Sequence, residues 1–208
     1  KIFYISIHTN SNLVPNDGTE QTVIALNQSY TIAQHTDAKI ILLSVEEEAQ
    51  STSVQRKLAE LAKEAASKSG RPVETMLRQG NVYEEINKVA DVLEPLVMVG
   101  LTSKLSPGTV IGKNAFKMVR ESKSPVMTIR GKYNRDGYKT ILLPLDLTKE
   151  SREKVDKAIL LAKRFNSTIR VVLFSHKTMR KPKINSLLIP IRYGDTCGLI
   201  KFVAQFAC

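Results

Sequence analysis

Continuous apolar runs alternate with amphipathic stretches along the first 130 residues. Lys39 to Val45 reads Lys-Ile-Ile-Leu-Leu-Ser-Val without the every-second-residue alternation of a half-exposed strand. Such a run suits a parallel strand buried on both faces. Upstream, Lys1 to Ser11 is a strand-like start followed by a polar turn, set apart as an extension. Asn12 to Asn16 then forms a short apolar run that stops at Asp17-Gly18, a strand entering a turn. Thr19 is placed to cap a helix with Glu20 in its first turn, where the helix dipole favours an acid. Val23, Leu26, Tyr30 and Ala33 recur at helical spacing behind it. Ser51 to Ser69 predicts a second helix, with Val54, Leu58, Leu61 and Ala65 on one face and Gly70 just past its end. Pro72 to Leu77 predicts a strand. Asn81 caps a helix through Val92 that turns Ile86, Val89 and Ala90 inward, and Pro95 ends it. Leu96 to Val99 is the next buried strand, ending at Gly100, and Leu101 to Ile111 is a loop. Gly112 opens a helix to about Glu121, and Pro125 to Ile129 supplies a fifth strand. Five strands alternating with four helices predict an α/β fold: an open parallel five-stranded sheet with helices on both faces.

The chain also repeats itself. At an offset of 129 residues, Leu13, Pro15, Asp17 and Thr19 fall on Leu142, Pro144, Asp146 and Thr148, and Ala33 and Ile40 on Ala162 and Ile169. Six identities would be weak alone. Their placement on matched elements makes the repeat persuasive: a strand at Ile141 to Leu145, a helix at Lys149 to Phe165 and a strand at Thr168 to Phe174. The expected organisation is therefore an extension (1–11), a full domain (12–131), a linker (132–139), a partial second copy (140–175) and a basic tail (176–208). The match breaks abruptly after Ser175, which favours a truncated or misread end over a divergent tail. A first residue that is Lys rather than Met is also compatible with a fragment or a removed leader.

Charge sharpens this division. Of the formal net charge of +11, residues 1–130 contribute 15 basic and 14 acidic side chains, and residues 131–208 contribute 16 and 6. The excess therefore bears on the C-terminal segment alone. It carries no nucleic-acid recognition motif and only scattered aromatics (Tyr193, Phe202 and Phe206). No apolar run is long enough to predict a membrane span. Two cysteines, Cys197 and Cys208, are too few for a disulfide framework, and the three histidines do not cluster with acids at metal-ligand spacing.

Several short motifs now carry a resemblance. Leu-Val-Pro-Asn-Asp-Gly-Thr-Glu at 13–20, and Leu-Leu-Pro-Leu-Asp-Leu-Thr at 142–148, resemble the opening of universal stress protein domains. Gln79-Gly80-Asn81 with Glu84-Glu85-Ile86 is similar to that family's entry to its third helix. Val97-Met98-Val99-Gly100 and Ser124-Pro125-Val126-Met127-Thr128-Ile129 are similar to the ends of its fourth and fifth strands. The resemblance covers about Asn12 to Arg130 and again Lys139 to Ser175. It implies a flavodoxin-like sheet, of the adenine-nucleotide alpha hydrolase type, with order 3-2-1-4-5. Ligands of such sheets sit beyond the carboxyl ends of strands 1 and 4, where the strand order reverses. Many members of the family bind ATP there and others do not. By position, Pro15, Asn16, Asp17 and Val45 correspond to the adenine side. Val99, Gly100, Thr102, Ser103, Gly112, Lys113 and Asn114 correspond to the phosphate side. The family's Gly-x2-Gly-x9-Gly-Ser/Thr loop is altered here. Ser103 stands in place of the second Gly, eight residues separate it from Gly112, and Lys113 replaces the Ser or Thr. A glycine there lets backbone N–H groups approach an anion closely, so its loss weakens the cradle. Gly112 still opens a helix whose N-terminus favours an anion.

Each of these residues also has a plainer reading. Asp17 can bond the backbone of the turn that follows it. Gly100 and Gly112 can be turn and helix-start glycines, and Lys113 a solvated helix residue. His35 can serve the dipole of its helix C-terminus. Glu46-Glu47-Glu48 reads as a solvated loop whose charge would oppose a triphosphate. As function, the resemblance implies a cytoplasmic stress-response binding protein, with ATP or another adenine nucleotide as the candidate ligand. The alternative is a member without nucleotide that acts through dimerisation and protein partners. Nucleic-acid binding by the basic tail is a further, less favoured class. Dedicated catalysis is not expected, weak ATPase activity aside: there is no Ser/His/Asp or Cys/His constellation and no GxxxxGK[ST] loop. The fifth strand, Pro125 to Ile129, is an apolar sheet edge, and the family commonly dimerises through it, so a homodimer is expected.

Overall fold

The computed structural model describes residues 10–46, 52–101, 113–130, 138–145, 150–173, 191–193, 196–198 and 205–206. The chain divides into two compact units between Asp136 and Gly137.

The first unit runs β1 (Ser11–Pro15), α1 (Glu20–Thr36), β2 (Lys39–Glu46), α2 (Thr52–Ser69), β3 (Val73–Gln79), α3 (Val82–Leu93), β4 (Leu96–Leu101), α4 (Lys113–Glu121) and β5 (Val126–Arg130). Its sheet has the order β3-β2-β1-β4-β5, with every pair parallel. This is the flavodoxin-like order expected. The central strands hold Leu13, Val14, Ile40, Ile41, Leu42 and Leu43 out of water, which explains why their sequences show no alternation. On one face Leu13, Ile41, Leu43 and Val97 pack against Ile86, Val89 and Ala90 of α3 and Met118 of α4. That α3 triplet is the one its spacing predicts. Asn81 caps the helix as expected, its Oδ1 accepting from the N–H groups of Tyr83 and Glu84 at 3.0 and 3.4 Å. Gly70 follows α2 at φ 63°, and its N–H bonds the carbonyl of Ala66.

Three details differ from the sequence reading. In α1 the buried residues are Thr22, Ile24, Ala25, Leu26, Gln28, Ser29, Ile32 and Ala33; Leu26 and Ala33 are among them as the spacing predicts, whereas Val23 is 44% exposed. Apolar spacing found only part of the inner face because two of the inward positions, Thr22 and Ser29, are hydroxyls. Both satisfy themselves locally, Thr22 through Asp17 and Ser29 through the carbonyl of Leu26 at 2.7 Å. In α2 the buried positions are Leu58, Ala62, Ala65 and Ser69, with Val54 and Leu61 half-buried. β4 does not end before Gly100 but runs through it to Leu101, pairing Gly100 with Ile129 of β5.

The second unit contains β6 (Thr140–Leu145), α5 (Glu150–Phe165), β7 (Thr168–Leu173), β8 (Ile191–Tyr193), β9 (Thr196–Gly198) and β10 (Gln205–Phe206). One sheet has the order β10-β7-β6, and β8 and β9 form an antiparallel pair. The β6–β7 register, from Thr140↔Thr168 to Pro144↔Val172, is the β1–β2 register from Ser11↔Lys39 to Pro15↔Leu43 advanced by 129. The turn into the second strand of each pair matches too. Asp37 and Asn166 both adopt left-handed φ, at 59° and 50°. The N–H groups of Ala38 and Ser167 bond the carbonyls of Ala33 and Ala162, and those of Lys39 and Thr168 bond the carbonyls of Asn10 and Lys139.

Candidate functional site

The strand order reverses between β1 and β4, and the residues after their carboxyl ends define the crevice in which ligands of such sheets bind. Pro15 ends β1, and Asn16 and Asp17 follow it directly. Asn16 is tied to the neighbouring strand: its N–H bonds the carbonyl of Leu43 at 2.7 Å, and Ser44 Oγ donates to its carbonyl at 3.3 Å. Its side-chain oxygen accepts from the N–H of Gly18, closing a local turn. Val45 lies near the end of β2, half-buried against the α3-side core. Val99 and Gly100 sit in β4 on the other side of β1. The fold thus brings Pro15, Asn16, Asp17, Val45, Val99 and Gly100 to one end of one sheet. Thr102, Ser103 and Gly112 lie outside the described residues, as do the side chains of Lys113 and Asn114 in the first turn of α4. Asp146, the counterpart of Asp17, lies outside them as well.

Asp17 is heavily engaged at this end. Its Oδ1 accepts from Thr22 Oγ1 at 2.6 Å, Thr19 Oγ1 at 2.7 Å and the N–H of Thr19 at 3.0 Å. Burial raises its pKa, but the hydrogen bonds from Thr22 and Thr19 outweigh that, and the carboxyl is held below its ordinary 3.8. The side chain is therefore ionised at neutral pH and serves as the anchor of the first turn of α1. Thr19, expected to cap α1 by its own oxygen, occupies the N-cap position but makes no side-chain cap bond; its hydroxyl goes to Asp17 instead. Sequence reasoning missed Thr22, whose spacing from Asp17 across the helix start was the available signal. These three bonds all fall on Oδ1.

Stability should follow that ionisation. A carboxyl whose folded pKa is depressed contributes stability that is present above its unfolded pKa and is lost as pH falls through the folded value. Asp17→Asn is expected to lower the unfolding midpoint at pH 7, and the gap from the parent should close as the pH drops below about 4. Thermal unfolding from pH 7 to pH 2.5 checks this; a gap that stays constant to the acid end would dissociate the network from the Asp17 charge.

Gly100 has a steric role in the fold that its motif did not show. A Cβ built on it would lie 2.1 Å from the carbonyl oxygen of Gln21 and 2.6 Å from its carbon, both in the first turn of α1. The missing side chain is what lets α1 lie against β4. The sequence could not show this, because the contact joins residues 79 positions apart (21 to 100). Among the described residues no group of His, Cys, Asp and Glu could hold a metal ion, and no helix is long and apolar enough to cross a membrane.

Comparison with known proteins places these observations. No curated protein matches the sequence significantly. Among solved structures, the chain is similar to a universal stress protein from Archaeoglobus fulgidus (TM-score 0.64, 16% identity, covering 81% of this chain and 68% of that one). It is also similar to a functionally unknown protein from Pseudomonas aeruginosa (TM-score 0.59, 19% identity, 79% and 60%), of whose length it spans less than two thirds. A universal stress protein in complex with cAMP aligns at TM-score 0.48 and 20% identity, over 58% of this chain and 95% of that one. The model of the Universal stress protein family matches residues 11–130, more than half of the chain and the whole five-stranded sheet, and the chain belongs to that family.

Proposed function

We propose that the first unit is an adenine-nucleotide-responsive binding module of a cytoplasmic stress-response protein, with its ligand at the carboxyl ends of β1, β2 and β4. The observation that carries this reading is the ionised Asp17 at the strand-order reversal, its Oδ1 fixed by Thr19 and Thr22. An acceptor at that place suits the exocyclic amine of adenine or a ribose hydroxyl. Pro15, Asn16 and Val45 would form the base side, and the helix start at Lys113 would face the phosphates. The phosphate side would be formed by Val99, Gly100, Thr102, Ser103, Gly112, Lys113 and Asn114, without the family's second glycine. ATP is the ligand proposed; a binding role is favoured over catalysis.

A second reading, a member without nucleotide that works through partners, is favoured by that altered loop. On either reading the expected homodimer forms through β5. This strand closes one edge of the sheet, with Val126 and Met127 half-buried and Ser124 Oγ pinning the preceding turn to the carbonyl of Ala90 at 3.0 Å. We also propose that the segment 140–175 is a partial second copy of the domain, supported by its register and matching turn.

ATP, ADP and cyclic AMP titrated into the full chain test the nucleotide reading. At 100 times Kd, a ligand that binds only the folded state adds about 2.7 kcal/mol. That should raise the unfolding midpoint of the first unit by roughly 5–10 °C. Asp17→Asn keeps an oxygen for the Thr19 and Thr22 network and replaces the second oxygen by a donor, so it is expected to abolish the rise. No rise with any of the three at millimolar concentration would reject nucleotide binding in favour of the partner reading.

A further inference from the structure

The two strand–helix–strand segments share a register but differ in what covers them. In the first unit, α3 lies on the face formed by Leu13, Ile41 and Leu43, and all three are buried. In the second unit, α5 covers the opposite face, packing Ile159, Ala158 and Ala162 on Leu143, Ile169 and Val171. Side chains alternate across a strand, so the remaining face carries Leu142, Pro144, Arg170 and Val172. Val172, beside β10, is buried. Leu142 is not: in the place of fully buried Leu13 it stands 62% exposed, with Pro144 also exposed. Arg170, directly opposite Leu142 in the register, replaces Ile41 and is exposed too. β6 is also a sheet edge, whereas β1 is paired on that side by β4.

An apolar position flanked by a cation has a definite complement. The element that covers the equivalent face in the first unit is an amphipathic helix with Ile86, Val89 and Ala90 on its inner side. Residues 81–94, which contain it, carry four acids (Glu84, Glu85, Asp91 and Glu94) against the single base Lys88. Residues 174–208 of this chain carry six Lys and Arg against one acid, the wrong sign to pair with Arg170. We propose that the Leu142–Arg170 face of the β6–β7 sheet is a docking surface for an acidic amphipathic helix from outside residues 1–208. Its apolar stripe would cover Leu142 and Pro144 as α3 covers Leu13, and a carboxylate would meet the Arg170 guanidinium.

A fluorescent peptide with the sequence of residues 81–94 is the probe, titrated into the full chain and followed by anisotropy. Saturable binding is expected. It should weaken at least tenfold in Leu142→Asp and in Arg170→Glu, and be kept in Arg170→Lys. Lys154→Glu, the same charge change on exposed α5, should leave it intact. Both tested positions are exposed, and an unchanged circular dichroism spectrum confirms that the variants fold. No saturation at millimolar peptide, or equal weakening by Lys154→Glu, would overturn the proposal. So would self-association of the parent chain that Arg170→Glu abolishes, since a second copy would then be the occupant.

Discussion

Gly100→Ala is expected to destabilise the first unit by about 3 kcal/mol, at the upper end of what overpacking costs. For a unit of this size that is a fall in midpoint of roughly 10 °C. The reason is the nature of the neighbour. The added methyl would meet backbone, the Gln21 carbonyl at 2.1 Å, and not the movable end of a side chain. Relief would require α1 to shift off β4, and α1 is held there by Leu26, Ile32 and Ala33, all buried. Gly18→Ala is the control. Gly18 has φ 75°, and a methyl added there would find nothing within 4 Å, so the change should cost only about 1 kcal/mol for the left-handed backbone. Denaturant unfolding of the two variants separates the cases. If Gly100→Ala proved no worse than Gly18→Ala, the close approach of α1 to β4 would be wrong.

The same glycine shows how far the sequence could be read. The alternation of strands and helices and the α3 face were legible because they rest on local patterns: unbroken apolar runs, the Asn81 cap and Pro95; the strand order came from the family resemblance alone. The inner face of α1 was read only in part, through Leu26 and Ala33, because Thr22 and Ser29 are polar by type and buried with their hydroxyls bonded locally. Position also found Pro15, Asn16, Asp17, Val45, Val99 and Gly100 at one end of the sheet. What each does there was not legible. The carboxylate of Asp17 is organised by Thr22, five residues on, and Gly100 answers to a carbonyl far away in the chain. Such roles depend on distances between elements, which periodicity does not encode.

Leu13 and Leu142 are the same residue type at matched register positions, yet one is sealed and the other stands in water; coverage, not sequence similarity, sets the energetics of each sheet. That contrast gives the largest expected effect. Ile41→Arg writes into the first unit the residue that the second unit carries at position 170. Ile41 is fully buried among Leu13, Leu43, Ile86 and Val97, with no carboxylate among the members of that cluster. An unpaired guanidinium there should cost on the order of 5 kcal/mol. Domains of this kind have a total stability of only about 5–15 kcal/mol, so the first unit should be largely unfolded or close to it at 37 °C. The reverse change, Arg170→Ile, falls on an exposed strand position and should move stability by no more than about 0.5 kcal/mol. It should nevertheless remove the charge on which the acidic helix depends. Far-UV circular dichroism with urea unfolding reads both variants. A folded Ile41→Arg with a parental midpoint would mean that α3 does not seal its face, and the comparison between the two sheets would then lose its basis. A collapse confined to Ile41→Arg would show that one substitution, at one register position, is tolerated or destructive according to whether a helix lies above it.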